Sequence, residues 1–206
     1  MKKKLIIVFV KNSIIGKVKT RLAKVIGNKK AIVVYDRLVQ LTEKAVAPLS
    51  IDKRIYYSDF CVEDQFVDAE KYLQKGEDLG QKMQAAFMEG FNEGFEQIVL
   101  IGSDLPDIST ALVQKSFHLL DTHNSVFGTA EDGGYYLVGL AKMNQSIFEN
   151  KPWSQSELLA VTLQQLTAQQ EQFALLEPLN DIDTYEDLIG SSLFKNDKDL
   201  QGLIIK

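Results

Sequence analysis

The sequence predicts an α/β fold of three layers, α/β/α, with a mostly parallel sheet covered by helices on both faces. Three observations carry this. Short, uniformly apolar runs such as Leu5–Val10 and Ile98-Val99-Leu100-Ile101 recur along the chain. Stretches with apolar residues at helical spacing separate them. No internal repeat, low-complexity tract or Pro/Gly/Ser-rich linker interrupts the alternation. Strands that are apolar on both faces belong between two helix layers, where a parallel sheet is buried.

Taken in order, Leu5–Val10 is the first strand. Ala31, Val34, Tyr35, Leu38, Leu41 and Ala45 then mark a helix over 30–46. Ile55–Ser58 is a short strand. A helix over 79–92 carries Leu79, Met83, Ala86, Phe87, Gly90 and Phe91 on one face, and Asp78 with Gln81 gives it a capping-box start. Gln97–Gly102 is the next strand, and Thr110 to about Leu120 the next helix. Ser125–Thr129 and Tyr135–Leu140 are two strands with little chain between them, which makes the second an antiparallel insertion. Ser154 and Glu157 form another capping box, opening a helix to about Gln169. Phe173–Leu176 is the last strand, and Thr184–Leu188 begins the last helix.

The chain has 206 residues, which fits one domain over 1–206. Its net charge of −5 argues against nucleic acid as a partner, because binding a phosphate backbone needs a basic surface. No run approaches the length of a membrane-spanning helix. The start, Met1-Lys2-Lys3-Lys4, resembles a signal peptide only superficially, since the apolar run that follows is short and no small-residue cleavage site comes after it. The one cysteine, Cys61, reads as structural, and a chain without disulfides suits the reducing cytoplasm. A homo-oligomer is compatible with the sequence.

In open α/β sheets ligands bind beyond the carboxyl ends of the strands, so the residues just after each strand carry the chemistry. After the first strand, Lys11, Lys17, Lys19 and Arg21 place four cations and Gly16 within eleven residues of an acidic protein. Lysines supply point charges and arginine a fork for phosphate oxygens, and a glycine allows close backbone approach. A solvated charged loop is the plain alternative, and the spacing is not that of a Walker A loop. After Ile98–Ile101 comes Gly102-Ser103-Asp104-Leu105-Pro106-Asp107. Asp104 suits a hard divalent cation, whereas Asp107 reads as a turn or cap residue. Ala130-Glu131-Asp132-Gly133-Gly134 joins two strands; its carboxylates could orient or deprotonate a hydroxyl, and an Asp-Gly turn explains the same residues. In Asn180-Asp181-Ile182-Asp183-Thr184, Asp183 or Thr184 could simply cap a helix. Paired with Asp104, Asp183 becomes a second metal arm, with Asp181 in reserve.

Five motifs occur in one order: Gly16-Lys17-Val18-Lys19-Thr20-Arg21-Leu22, Gly76 to Gly80, Ile101-Gly102-Ser103-Asp104-Leu105-Pro106, Glu131-Asp132-Gly133-Gly134-Tyr135-Tyr136 and Asp181-Ile182-Asp183-Thr184. Together they resemble a bacterial family of GT-A-type glycosyltransferases, of the arsenosugar-biosynthesis or radical-SAM/selenodomain-associated kind, within the nucleotide-diphospho-sugar transferase superfamily. The resemblance runs from Leu5 to about Leu188. It implies a GT-A fold, a Mg²⁺ or Mn²⁺ ion, and a first loop lying on the nucleotide and its phosphates. Asp104 matches the metal-binding aspartate after the central strand and Asp183 the downstream one, while Gly80 falls in a motif on the nucleotide side. Two departures stand out. Lys11 and Ser13 replace the Arg and Pro usual before the first glycine, and Leu105-Pro106 takes the place of a full Asp-x-Asp triplet, so a second carboxylate matters.

Three functions follow. The first is a metal-dependent glycosyltransferase that moves a sugar from a nucleotide sugar to a small-molecule acceptor. Asp132 or Glu131 acts on the acceptor hydroxyl, and Gly133 and Gly134 let sugar or acceptor approach. The second is a nucleotidyltransferase joining an NTP to a phosphorylated small molecule, with pyrophosphate released. The third is a non-catalytic nucleotide-sugar-binding protein, which carboxylates at three separate strand ends argue against.

Overall fold

The computed structural model describes residues 2–205; Met1 and Lys206 lie outside the described residues. Seven strands form one sheet: β1 (Lys4–Val10), β2 (Asp52–Tyr57), β3 (Glu70–Leu73), β4 (Gln97–Ile101), β5 (Ser125–Ala130), β6 (Tyr135–Leu140) and β7 (Phe173–Leu179). Their spatial order is β3-β2-β1-β4-β6-β5-β7. β6 runs antiparallel to both its neighbours, β4 and β5. The pairs β1–β2, β1–β4, β2–β3 and β5–β7 are parallel. The antiparallel insertion expected at Tyr135–Leu140 is thus present.

The helices are α1 (Thr20–Ile26), α2 (Asn28–Val46), α3 (Leu79–Asn92), α4 (Thr110–Leu119), α5 (Leu158–Ala168), α6 (Tyr185–Gly190), α7 (Ser192–Asn196) and α8 (Lys198–Ile205). Residues of β1 alternate between the two faces of the sheet. Ile6, Val8 and Val10 pack with Tyr35 and Val39 of α2 and Val113 and Phe117 of α4. Leu5, Ile7 and Phe9 pack with Met83 and Phe87 of α3 and Leu166 of α5. This period of two across a doubly covered strand is why the sequence of β1 is apolar without alternation. A third cluster sits outside α2, where Val34 and Leu38 meet Leu22 of α1, Leu188 of α6, Phe194 of α7 and Leu200 of α8.

Two helix starts differ from expectation. The Asp78 side chain accepts from the Gln81 amide at 2.8 Å, but the Gln81 side chain reaches back to the Glu77 amide rather than to Asp78. The capping box at Ser154 and Glu157 does not form: Ser154 has a left-handed backbone at φ 62, and α5 begins only at Leu158. The early amide of Leu159 donates instead to the Gly133 carbonyl at 3.0 Å. A tertiary acceptor replaces the side-chain cap.

Candidate active site

β1 lies between β2 and β4, so the chain reverses its direction of growth there. That switch point opens a crevice at the carboxyl ends of β1 and β4. Because β6 is antiparallel, the turn from β5 into β6 lies at the same edge, as does the segment after β7. The four expected loops therefore converge. They surround a cavity of about 430 Å³ whose lining includes Lys19, Arg21, Asp104, Asp132, Asp181 and Asp183.

Single carboxylate oxygens of Asp104, Asp181 and Asp183 all lie within 4.8 Å of one another. The Ile182 amide, between the last two, donates to the Asp104 carbonyl at 3.4 Å and holds the two loops together. Into this cluster reaches Lys19, whose Nζ is 3.2 Å from Asp104 Oδ2 and 3.1 Å from Asp183 Oδ1. Arg21 adds a longer contact, 3.6 Å to Asp183. Burial works against the charge on Lys19, but Asp104, Asp183 and Asp181 outweigh it and hold its ammonium above the ordinary range. Burial likewise opposes ionisation of Asp104, yet Lys19 wins and holds that carboxyl below the usual range. Asp181 goes the other way, pushed up to about 6 by burial and by the carboxylates of Asp104 and Asp183. Lys19 and Arg21 together bring two positive charges to three carboxylates.

That imbalance fits a divalent ion. Three carboxylate oxygens within 4.8 Å of one another are hard ligands of the kind a divalent cation takes. Lys19 already stands as a monovalent cation between two of them.

The first loop is held by two pegs that sequence reasoning missed. The Tyr35 hydroxyl accepts from the Lys11 amide at 2.8 Å and shares a hydrogen bond with Ser103 Oγ at 2.8 Å. It thereby ties the loop after β1 to the loop after β4. Burial pushes this phenol up to about 12, against the Ser103 hydrogen bond, which lowers it. The Asn12 side chain accepts from the Asp59 amide at 2.8 Å and donates to the Phe60 carbonyl at 2.8 Å, fastening the same loop to the end of β2. Tyr35 reads in sequence as one more apolar position of α2, and its partners are distant in the chain. Asn12 left a faint signal, a polar residue directly after an apolar strand.

The remaining expected residues are placed as follows. Lys11 and Lys17 line the cavity, with Lys17 paired to Asp59 at 2.9 Å. Gly16 is exposed and outside the lining, in a left-handed turn at φ 80. Asp132 and Gly134 line the cavity; Glu131 and Gly133 do not. Asp132 Oδ1 accepts from the Gly134 amide at 2.9 Å. Gly133 has φ 89, and a Cβ there would stand 2.0 Å from the Ser156 carbonyl oxygen, so its part is to seat the turn on the segment before α5. Gly80 also lies outside the lining. A Cβ on it would stand 2.5 Å from Trp153 Nε1, which makes Gly80 the seat of that indole. Thr184, not Asp183, caps α6, in a complete capping box with Asp187. Asp183 is left with its charge directed at Lys19 and Arg21.

The family model described as "Uncharacterized protein conserved in bacteria (DUF2064)" matches residues 44–155, more than half of the chain. No curated protein matches the chain in sequence. Among solved structures, one from Desulfovibrio desulfuricans G20, named as a candidate nucleotide-diphospho-sugar transferase, aligns with a TM-score of 0.88 at 30% identity, over 100% of this chain and 98% of that one. The inositol-1-phosphate CTP transferase of T. maritima aligns with a TM-score of 0.59 at 16% identity, over 100% and 96% of the two chains. Glucosyl-3-phosphoglycerate synthase from Mycobacterium tuberculosis, in complex with Mn²⁺, UDP and glucosyl-3-phosphoglycerate, aligns with a TM-score of 0.58 at 9% identity, over 92% and 75%. At these identities the last two share the fold alone.

Proposed function

The chain belongs to the DUF2064 family, and from that premise we propose that it is a metal-dependent glycosyltransferase, moving a sugar from a nucleotide-diphosphate sugar to a small-molecule acceptor. The observation that carries the reading is the cavity itself. Three carboxylates suited to Mg²⁺ or Mn²⁺, cations suited to a diphosphate, and a separate carboxylate, Asp132, line one space. A divalent ion bound by Asp104, Asp183 and Asp181 would neutralise the leaving diphosphate. Lys19 is placed to trade its two carboxylates for phosphate oxygens, and Arg21 and Lys11 to contact the same group. Asp132 orients the acceptor hydroxyl and takes its proton, while Gly134 keeps the backbone beside it open. The whole of 1–206 acts as one domain in this reading.

Nucleotidyl transfer is the second reading, because the four cations of the first loop also suit a triphosphate.

The test is the released product. Nucleotides and nucleotide sugars are first screened by thermal shift with and without Mn²⁺, where a ligand at 100 Kd adds about 2.7 kcal/mol. The best donor is then incubated with acceptors. Release of a nucleoside diphosphate supports glycosyl transfer, pyrophosphate release from an NTP supports the second reading, and no Mn²⁺-dependent stabilisation by any nucleotide refutes both.

A further inference from the structure

Lys19 cannot leave the carboxylates by moving its backbone. Val18 before it is buried in the cluster that holds Val10 and Tyr35, and Leu22 beyond it is buried with Val34 and Leu38 of α2. The Lys19 carbonyl accepts from the Ala23 amide at 2.8 Å and so closes the first turn of α1. The side chain alone is left to move, and it is tethered beside Asp104 and Asp183. Arg21 differs: its side chain is 71% exposed and reaches Asp183 only at 3.6 Å, so it yields to water at little cost. A divalent ion on the same oxygens would be a direct neighbour of the Lys19 ammonium. Like charges that close repel strongly in a partly buried site.

We infer that the three carboxylates take their divalent ion together with a diphosphate and bind the free ion poorly, because the Lys19 ammonium holds the ion's place until phosphate oxygens receive it. The inference rests on the transferase reading above and concerns how that site is loaded. The charge balance selects this pairing. Two cations against three carboxylates leave one negative charge. A free divalent ion would turn that into one positive charge, and a doubly charged diphosphate alone would leave three negative charges. Arriving as a pair, they leave the balance unchanged. Lys11, Lys17 and Arg21 line the same cavity and give the diphosphate its first contacts while Lys19 is still engaged. The coupling is reciprocal: the ion raises diphosphate affinity by the same factor by which the diphosphate raises ion affinity.

The test reads ion binding, not turnover. Mn²⁺ alone is titrated into the wild type, Lys19→Met, Lys19→Gln and Lys24→Met, and the free ion is followed by electron paramagnetic resonance at about 0.1 M salt. Lys24 is exposed in the last turn of α1, so Lys24→Met controls for one lost positive charge. Lys19→Gln keeps a hydrogen-bonding side chain without the charge, and serves if Lys19→Met fails to give a cooperative melt. Both Lys19 variants should bind free Mn²⁺ at least about tenfold tighter than the wild type. Lys24→Met should stay within about twofold of it, because its charge is screened. With the best-stabilising nucleotide bound, the gap between the wild type and the Lys19 variants should shrink by at least about threefold, as phosphate takes over the ammonium. The inference is overturned if the Lys19 variants bind free Mn²⁺ no tighter than the wild type, if Lys24→Met gains as much, or if the gap persists unchanged with nucleotide bound. Failure of every nucleotide to stabilise the protein with Mn²⁺ is a separate result that refutes the transferase reading; the titrations with Mn²⁺ alone still decide whether Lys19 competes with the ion.

Discussion

Lys19 Nζ stands 3.2 Å from Asp104 Oδ2, although the two residues are 85 apart in sequence. The contact depends on backbone shape. Lys19 immediately precedes α1 with a left-handed φ of 46, uncommon for a residue with a side chain. That turn carries the ammonium inward, and the side chain is only 5% exposed. In the sequence Lys19 is one of four cations in a candidate phosphate loop; the structure shows it buried, pinned by carboxylates from two other loops.

Replacing Lys19 with Met should therefore cost stability as well as nucleotide affinity. Lys19 is buried but Asp104 and Asp183 are 37% and 42% exposed, so the loss lies between the buried and the surface limits. It should be about 2 kcal/mol, or about 4–8 °C in Tm for a chain of this size. Mn²⁺ should raise the Tm of Lys19→Met more than that of the wild type, since no internal cation competes for the carboxylates. Equal Mn²⁺ shifts in both proteins would mean that Lys19 and the ion do not share a site.

Asp183 and Thr184 should separate cleanly, because only Thr184 caps α6. Asp183→Asn should raise the Mn²⁺ concentration needed for nucleotide-dependent stabilisation by at least tenfold, and Asp104→Asn should do the same. Thr184→Ala should cost about 1 kcal/mol of stability through the lost cap, with the Mn²⁺ requirement unchanged. A cap-like loss in Asp183→Asn with normal Mn²⁺ response would remove Asp183 from the metal site.

How much of this could be read from the chain depended on range. β1 and β4 were legible because burial on both faces leaves an unbroken apolar run. β6 was legible as an antiparallel insertion because so few residues separate it from β5. β3 was not: Glu70-Lys71-Tyr72-Leu73 is an edge strand with no fully buried residue, so it carries no apolar signature. α1 hid inside the basic loop, with Leu22 its one buried residue and no capping side chain at its start. The Ser154–Glu157 pattern starts α5 too early, because the contact of Leu159 with Gly133 overrides that local rule. The carboxylates were legible as strand-end residues, whereas Trp153 on Gly80 and Tyr35 on Ser103 join distant segments that no local pattern connects.

Gly133 offers a stability test of the turn that carries Asp132. Gly133→Ala meets two penalties, a left-handed backbone and a Cβ 2.0 Å from the Ser156 carbonyl oxygen. Gly16→Ala meets only the first, since nothing lies within 4 Å of its Cβ. Urea denaturation should show a loss of about 1–2 kcal/mol for Gly16→Ala, and about 3 kcal/mol or more for Gly133→Ala once overpacking is added. Equal losses would mean that the turn does not press on the segment before α5.

The last test concerns the peg between the loops after β1 and β4. Tyr35→Phe keeps a ring that is 2% exposed and removes only its hydroxyl. The Lys11 amide and Ser103 Oγ then lose their shared partner, each at 2.8 Å in the intact protein. Buried groups left unpaired make the loss about 1–3 kcal/mol. The functional effect should fall on nucleotide affinity, because Lys11 and Ser103 flank the cavity that the first loop and Asp104 line. Ser103→Ala removes the other half of the Tyr35–Ser103 bond. If that bond is one physical link, the double variant should lose less stability than the two single losses added together. Agreement with simple addition to within about 0.5 kcal/mol would show the two hydroxyls to be energetically independent. The loops would then have to be held in register by the Asn12 contacts and the Ile182–Asp104 backbone bond instead.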